Sequence, residues 1–128
     1  MTVLVIAEHD NAGLKGATLS LVAAAKKLSD TVDILVAGTG CSAAGEAAAK
    51  VAGVTKVRVT DDAKLAHFEA EALGHADAVA VKAGGYTHVL FAAGSSGKAA
   101  IPRAAVELAA PAVSEVTDVV SADTFRRF

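Results

Sequence analysis

The sequence has few of the residues that mark several classes of protein. None of its 128 residues is tryptophan, one is cysteine, and only 4% are aromatic. The single cysteine, Cys41, excludes a disulfide within the chain and fits a reducing compartment. Because aromatic side chains are scarce, the core must be built from Val, Leu, Ile and many Ala, whose small side chains let helices lie close to a sheet.

An excess of positive charge and long apolar runs are also lacking. The formal net charge is −2 at pH 7, which gives no reason to expect nucleic acid or a membrane surface as a partner. The longest apolar runs are far too short to span a membrane. The first residues enter a strand pattern directly, without a signal peptide or transit segment. We therefore expect a cytoplasmic, bacterial protein without nucleic acid or direct membrane insertion.

Short apolar runs alternate with helical patterns from end to end. The runs predict five strands, at residues 3–7, 32–37, 56–60, 87–93 and 113–120. Near-continuous apolar strands indicate burial on both faces, and therefore a parallel sheet with helices on each side. The expected fold class is α/β, a doubly wound, mostly parallel five-stranded sheet. The strand orders 3-2-1-4-5 and 2-1-3-4-5 are both common, and we expect the first.

The helical patterns carry their own start and stop signals. One apolar stripe follows the third strand, with Gly74 predicting a break or kink and Gly84-Gly85 predicting the end. Its members are Leu65, Phe68, Ala72, Leu73, Ala76 and Val79. The last helix is predicted at residues 98–109, with Pro102 in its first turn, where a missing N–H is tolerated.

A polar, glycine-containing run follows the fourth predicted strand. A strand, such a loop and a helix start together present backbone N–H groups to an anion. The run is not a P-loop, because Ala92 and Ala99 stand where that motif needs Gly and Ser or Thr. Anion or partner contact and a plain turn both remain open. The candidate cofactor-binding residues are Gly94, Ser95, Ser96, Gly97 and Lys98.

A second polar run, Glu8-His9-Asp10-Asn11, follows the first strand. In the order 3-2-1-4-5 the crevice for ligands falls between strands 1 and 4, which places this run beside residues 94–98. An acid, an imidazole and a lysine could perform acid–base chemistry there. No nucleophile or metal set accompanies them, so we favour a polar loop in which Asp10 or Asn11 bends the backbone.

Three weaker signals complete the candidate sites. Residues 38–43 match a loose dinucleotide fingerprint, with Asp61 and Asp62 at a suitable distance, although a short turn and helix cap explains them better. Cys41 at a helix start could favour a thiolate, but no second cysteine accompanies it, so we expect it to fill space. The four histidines, at positions 9, 67, 75 and 88, show no metal-binding spacing.

Taken together in order, several segments resemble the alpha subunit of electron transfer flavoprotein across essentially the whole chain. The most distinctive are Ser95-Ser96-Gly97-Lys98 with Pro102-Arg103, and Asp123-Thr124-Phe125. The others are Ile6-Ala7-Glu8-His9-Asp10-Asn11, Val36-Ala37-Gly38, Ala52-Gly53-Val54 and Val113-Ser114-Glu115-Val116.

The resemblance implies a two-part parent protein. Residues 1–122 would be the amino-terminal α/β domain, related to adenine-nucleotide-binding α/β proteins, and residues 123–128 the start of a linker or strand toward an FAD-binding domain that this chain lacks. FAD would then be held mainly by that missing domain, and AMP by the beta subunit. No FAD-binding or AMP-binding residue of the family carries over to this chain.

The implied function is electron transfer rather than catalysis. The parent heterodimer would carry electrons through FAD from acyl-CoA or other dehydrogenases to a membrane quinone reductase, and this domain would support association with the beta subunit. The residues agree with a supporting role, since they form no catalytic constellation. Two alternatives remain, a free-standing nucleotide-binding or stress-response module and a small dinucleotide-dependent oxidoreductase.

Overall fold

Helices and strands alternate along most of the chain. A computed structural model describes residues 2–10, 12–65, 70–92, 95–109, 116–121 and 124–127. The strands are β1 (Thr2–Ile6), β2 (Thr31–Gly38), β3 (Lys56–Asp61), β4 (His88–Phe91), β5 (Val116–Ser121) and β6 (Thr124–Arg127). The helices are α1 (Gly16–Leu28), α2 (Ser42–Ala49), α3 (Ala70–Gly84) and α4 (Ser95–Leu108), with a 3-10 turn at Ala63–Leu65. None of the described helices combines the length and apolarity that a bilayer crossing requires.

Four parallel strands form the main sheet in the order β3-β2-β1-β4. The β1 strand pairs with β2, where Thr2 lies opposite Thr31, and with β4, where Val3 lies opposite His88. The predicted α/β class and the predicted order of the first four strands are confirmed. Because β1 lies between β2 and β4, the strand order reverses beside it, which is where α/β sheets form their ligand crevices.

The fifth predicted strand forms but does not join this sheet. Residues 116–121 are extended, yet β5 pairs antiparallel with β6 in a separate two-stranded sheet. Only two residues separate β5 from β6, and so short a connection joins antiparallel rather than parallel strands. The prediction of a five-stranded parallel sheet is therefore wrong for the fifth strand. Residues 113–115, where that strand was predicted to begin, lie outside the described residues.

Side chains of the central strands alternate between two cores. On one face, Val3, Val5, Val32, Ile34 and Val36 pack with α1 and α2, and Val119 and Phe125 of the β5–β6 pair contact this cluster. On the other face, Leu4, Leu35 and Ala37 pack with α3 and α4. Both faces are covered, which explains why these strands are apolar at nearly every position.

The buried face of α3 differs from the predicted stripe. Leu73, Ala80 and Val81 are buried, whereas Val79 is 52% exposed, and Phe68 lies outside the described residues. The helix runs through Gly74 without a break. A Cβ atom there would lie 2.7 Å from Cβ of Arg103 and 3.1 Å from the carbonyl oxygen of Ala100. The glycine therefore permits close contact between α3 and α4, and the break that the sequence predicted there is absent.

The helix α4 begins earlier than expected, at Ser95 rather than Lys98. The single glycine within its first turn, Gly97, is tolerated. Pro102 consequently lies inside the helix and not in its first turn. Since proline has no N–H, the carbonyl group four residues earlier, that of Lys98, receives no helical hydrogen bond from it.

Candidate functional site

The crevice beside β1 contains a small cavity at the carboxyl ends of β1 and β4. Its volume is about 40 Å³. The walls come from the ends of β1, β2 and β4 and from helices α3 and α4; they are Ile6, Ala7, Glu8, His9, Ala37, Leu73, Asp77, Phe91, Ala92 and Ala100. Glu8 and His9 of the run after β1 and Ala92 after β4 thus line the same cavity. That the run lies beside residues 94–98 stays a prediction, since Asn11 and Gly94 lie outside the described residues.

The loop after β1 is held by hydrogen bonds to the start of α1. The hydroxyl of Thr18 accepts from the Glu8 N–H at 2.9 Å and donates to the Glu8 carbonyl at 3.0 Å. Lys15 N–H donates to the same carbonyl at 2.8 Å. Thr18 is fully buried, so its hydroxyl satisfies backbone groups that would otherwise lack partners inside the protein.

Asp10 turns the chain within this loop. Its Oδ1 accepts from the N–H groups of Ala12 at 3.0 Å and Gly13 at 2.8 Å, the pattern of an Asx turn. These backbone hydrogen bonds favour the carboxylate form and lower the pKa of Asp10. The favoured interpretation of this run as a backbone-bending loop is supported at Asp10, while Asn11 lies outside the described residues.

His9 is a structural side chain in this arrangement. It is 7% exposed, and its Nε2 donates to the Ala37 carbonyl oxygen at the end of β2, at 2.8 Å. Its backbone also forms an antiparallel bridge with Leu14. Its burial and its contact with the end of β2 fit a structural side chain.

The candidate anion site falls on the start of α4. Gly94 lies outside the described residues, and the backbone of Ser95, Ser96, Gly97 and Lys98 forms the first helical turn. Four N–H groups at a helix start lack intrahelical acceptors. Contact of these residues with an anion or a partner stays a prediction.

Asp77 is the residue that sequence reasoning missed. It is 1% exposed, lines the cavity, and its Oδ1 has no hydrogen-bond partner in the described structure. Removal from water disfavours the charged carboxylate and raises the pKa of Asp77 to about 7. Its burial could have been predicted from its spacing, because Leu73, Asp77 and Val81 recur every four residues along the face of α3 that packs on the sheet.

The glycine-containing turn after β2 is closed by contacts within the protein. Gly40 has φ of +61°, a conformation that glycine adopts without strain. Its N–H donates to Oδ1 of Asp61 at 2.9 Å, and the Thr39 hydroxyl donates to the Asp62 carbonyl oxygen. The backbone donor that a dinucleotide pyrophosphate would need is therefore used by Asp61. This geometry fits the turn-and-cap interpretation.

Cys41 and the histidines do not form reactive sites among the described residues. Cys41 is fully buried, and this burial raises the pKa of its thiol, which makes it a poor nucleophile. Nδ1 of His75 lies 3.1 Å from Oε2 of Glu107, and Nδ1 of His88 lies 3.0 Å from the hydroxyl oxygen of Thr87. His67 lies outside the described residues. No group of three metal-binding side chains occurs in the described parts of the chain.

A wider, open groove of about 580 Å³ lies between β3 and α3. Val59 and Val79 line it and are 47% and 52% exposed. At its side, the Arg58 guanidinium lies 5.6 Å from the centre of the Tyr86 ring, and Tyr86 donates to Oδ2 of Asp33 at 2.5 Å. The groove borders the outer strand of the main sheet, away from the crevice beside β1.

Comparison with known proteins gives a consistent result across the chain. The family described as "Electron transfer flavoprotein domain" matches residues 3–127. The chain is 48% identical over 127 residues to electron transfer flavoprotein subunit alpha of Pseudomonas aeruginosa, covering 99% of this chain and 40% of that protein. It is 41% identical over 128 residues to the subunit alpha of Paracoccus denitrificans, covering 99% of this chain and 41% of the relative.

A more distant relative shows the same pattern. The probable mitochondrial electron transfer flavoprotein subunit alpha of Caenorhabditis elegans is 37% identical over 124 residues, covering 97% of this chain and 37% of that protein. The chain thus spans about two-fifths of the length of the curated relatives it matches.

Proposed function

Because the chain belongs to the electron transfer flavoprotein family, we propose that it is the amino-terminal domain of an alpha subunit and a scaffold for a beta subunit. The observation that carries the proposal is the match to alpha subunits over 99% of the chain at 48% identity. His9 and Cys41 are buried, and the carboxylate of Asp10 accepts backbone hydrogen bonds, which agrees with a supporting role.

The cavity at the crevice beside β1 does not fit FAD. The cavity beside β1 has about 40 Å³, whereas pockets for ligands of this kind occupy roughly 300–1,000 Å³. The groove between β3 and α3 lies away from this crevice. In the turn after β2, the Gly40 N–H already donates to Oδ1 of Asp61. We therefore propose that FAD is held mainly by a further domain of the parent protein, and AMP by the beta subunit, as the family resemblance implies.

The parent heterodimer, in this proposal, takes electrons from acyl-CoA or other dehydrogenases and passes them through FAD to a membrane quinone reductase. Its location would be the cytoplasm of a bacterium. The bacterial relatives are 41–48% identical to this chain and the mitochondrial ones 33–39%, which supports a bacterial source.

Association with the beta subunit is the direct test. The chain, mixed with purified beta subunit from the same organism, should elute with it from a sizing column, and calorimetry should give a saturable heat. The chain alone should be colourless, while the parent alpha–beta complex should show flavin absorbance. A flavin band that follows the isolated chain at one flavin per chain would contradict this division of roles.

Nucleotide titration separates this proposal from the nucleotide-binding alternative. AMP and ATP added to the isolated chain should give no binding heat, because the cavity beside β1 is too small for either. Micromolar binding of a nucleotide, without binding of the beta subunit, would replace the scaffold function with the alternative.

A further inference from the structure

The outer edge of β3 carries no further strand in the described part of the chain. The strand ends the main sheet and pairs there with β2 alone. Val59 on β3 is exposed, and so is Val79, which lines the open groove from α3. The unpaired N–H and C=O groups of an edge strand are a template for another strand. With apolar side chains exposed beside it, this edge is a surface that suits strand addition.

The backbone of β3 shows which of its residues point outward. The N–H of Asp62 donates to the carbonyl oxygen of Gly38 on β2 at 2.9 Å. Backbone groups of successive residues alternate in direction along a strand, so Arg58 and Thr60 also direct theirs toward β2. An added strand must therefore bond to the residues between them. These outward residues are Val57, Val59 and Asp61.

The charged side chains of β3 lie on the face of the sheet that α3 covers. Val57 packs into the core on the α1 side, whereas the Arg58 guanidinium lies over Tyr86 and Asp62 lines the groove with α3. Because side chains alternate between faces, Lys56 lies on the α3 face as well. This face of the strand therefore begins with a base and ends with an acid.

These charges select a register for pairing with a second, antiparallel copy of β3. In such a pair each residue lies opposite one of the same direction, so the two-fold axis lies between one residue and its own copy. An axis at Arg58 opposes two guanidinium groups, and an axis at Val57 opposes Lys56 and Arg58; both are unfavourable like-charge pairs. An axis at Thr60 pairs only residues 59–61 of the strand.

An axis at Val59 avoids these contacts. It sets Lys56 opposite Asp62 of the second copy at both ends of the pair, and Arg58 opposite Thr60. The two Val59 side chains meet at the centre, where each covers part of the other's exposed surface. Opposite charges at directly opposed positions stabilise paired strands, so the start and the end of β3 complement each other.

We propose that the edge of β3 is a homodimer interface, at which two copies of this chain pair their β3 strands antiparallel about Val59 and join their sheets. The strand's own charge pattern favours a second copy over an unrelated peptide. An edge contact of this kind is small, so monomer and dimer should exchange in a concentration-dependent equilibrium. The inference goes beyond the proposed function and does not rest on it, since it involves neither flavin nor a beta subunit.

Sedimentation velocity of the chain over about 10–500 µM tests the proposal. We expect the average sedimentation coefficient to rise with concentration from that of a monomer toward that of a dimer. Val59→Lys places two like charges at the centre of the pair and should raise the Kd of the dimer about tenfold or more. Circular dichroism checks that each variant is folded.

Charge reversal tests the register. Lys56→Asp opposes two acids at both ends of the pair, and Asp62→Lys opposes two bases, so each should raise the Kd about tenfold. The double variant restores opposite charges and should return the Kd to within about threefold of the wild type. Lys27→Asp makes the same charge change on the exposed side of α1 and should leave the Kd unchanged.

A chain that stays monomeric up to about 500 µM would overturn the proposal. A dimer that Val59→Lys does not weaken, or a charge reversal that the double variant does not rescue, would overturn it as well. If Val59→Lys does not fold, the charge-reversal variants decide alone, because Lys56 and Asp62 are both exposed.

Discussion

Asp77 makes the stability of this domain depend on pH in an unusual direction. Its pKa is raised to about 7 in the folded protein from an ordinary value of 3.8. Between these two values the folded state holds a proton that the unfolded state has released. Folding is therefore favoured by acid, and the contribution of Asp77 to stability is lost as the pH rises through the folded pKa.

Asp77→Asn should remove this dependence, because an amide does not ionise. Between about pH 5 and about pH 8 we expect the wild-type free energy of unfolding to fall by about 2 kcal/mol relative to that of the variant. Urea denaturation at both pH values measures this difference. The exposed Glu46→Gln is the control and should follow the wild type; parallel pH profiles for wild type and Asp77→Asn would contradict the raised pKa.

Tyr86 donates a hydrogen bond to a second buried acid, Asp33. Its hydroxyl donates to Oδ2 of Asp33, which is 6% exposed on β2, and burial with this hydrogen bond raises the pKa of Tyr86 to about 12. Tyr86→Phe leaves the carboxylate without this donor, and we expect it to lower the free energy of unfolding by about 1–3 kcal/mol.

Chemical denaturation of Tyr86→Phe, Asp33→Asn and the double variant Tyr86→Phe/Asp33→Asn measures the coupling between the two side chains. The second substitution should recover part of the loss, because the acid is no longer charged. Equal stability of wild type and Tyr86→Phe would show that the hydrogen bond contributes nothing measurable.

The sequence predicted the main chain better than the individual site residues. Apolar runs identify β1 to β4 because burial on both faces requires them, and the crevice beside β1 follows from strand order alone. Asp77 was not predicted, since a single acid in a helical pattern is ordinarily solvated, and its burial depends on how α3 is rotated on the sheet. Val79 shows the same limit, because an apolar side chain does not by itself reveal which side of a helix is covered.

At the scale of elements, the contact between α3 and α4 depends on Gly74. A Cβ atom at this position would meet the Arg103 side chain at 2.7 Å and the backbone of Ala100 at 3.1 Å. Gly74→Ala gains helix propensity, but the helices must separate to admit the methyl group. We expect a net loss of about 1–3 kcal/mol in the free energy of unfolding, as for other overpacked contacts.

Gly16→Ala at the start of α1 is the matched control, because nothing lies within 4 Å of its added Cβ atom. That variant should be as stable as the wild type or up to about 1 kcal/mol more stable. Thermal or urea unfolding of both variants gives the comparison. A stabilised Gly74→Ala would mean that α3 and α4 do not pack as closely as the structure has them.

The β5–β6 pair shows why the fifth strand was misplaced. An apolar run predicts a strand, yet periodicity does not say which neighbour it pairs with. The short separation between β5 and β6 favours local antiparallel pairing over a return to the parallel sheet. Since Phe125 of β6 packs against the core on the α1 side, we propose that the domain continues through this strand.

At the scale of the whole molecule, a scaffold must present a surface to its partner. Four large apolar side chains are exposed among the described residues: Leu19, Val59, Val79 and Val106. The buried centres of interfaces are depleted of charge, so a new aspartate at a covered position should weaken association. We expect at least one of the four aspartate variants to raise the Kd for the beta subunit about tenfold or more.

Calorimetry with the beta subunit measures the four Kd values, and circular dichroism checks that each variant is folded. Ser20→Asp, an exposed polar position next to Leu19, adds the same charge without removing an apolar side chain and should leave the Kd unchanged. Wild-type affinity in all four variants would show that none of these side chains is covered by the beta subunit.

The hydrogen bonds between Thr18 and Glu8 have a consequence for the cost of association. A loop that becomes ordered only when a partner arrives loses conformational entropy, and this loss weakens the complex. Here Thr18, the Asp10 turn and the His9 contact fix the loop beforehand. A protein that docks on the loop after β1 should therefore lose little conformational entropy in ordering it.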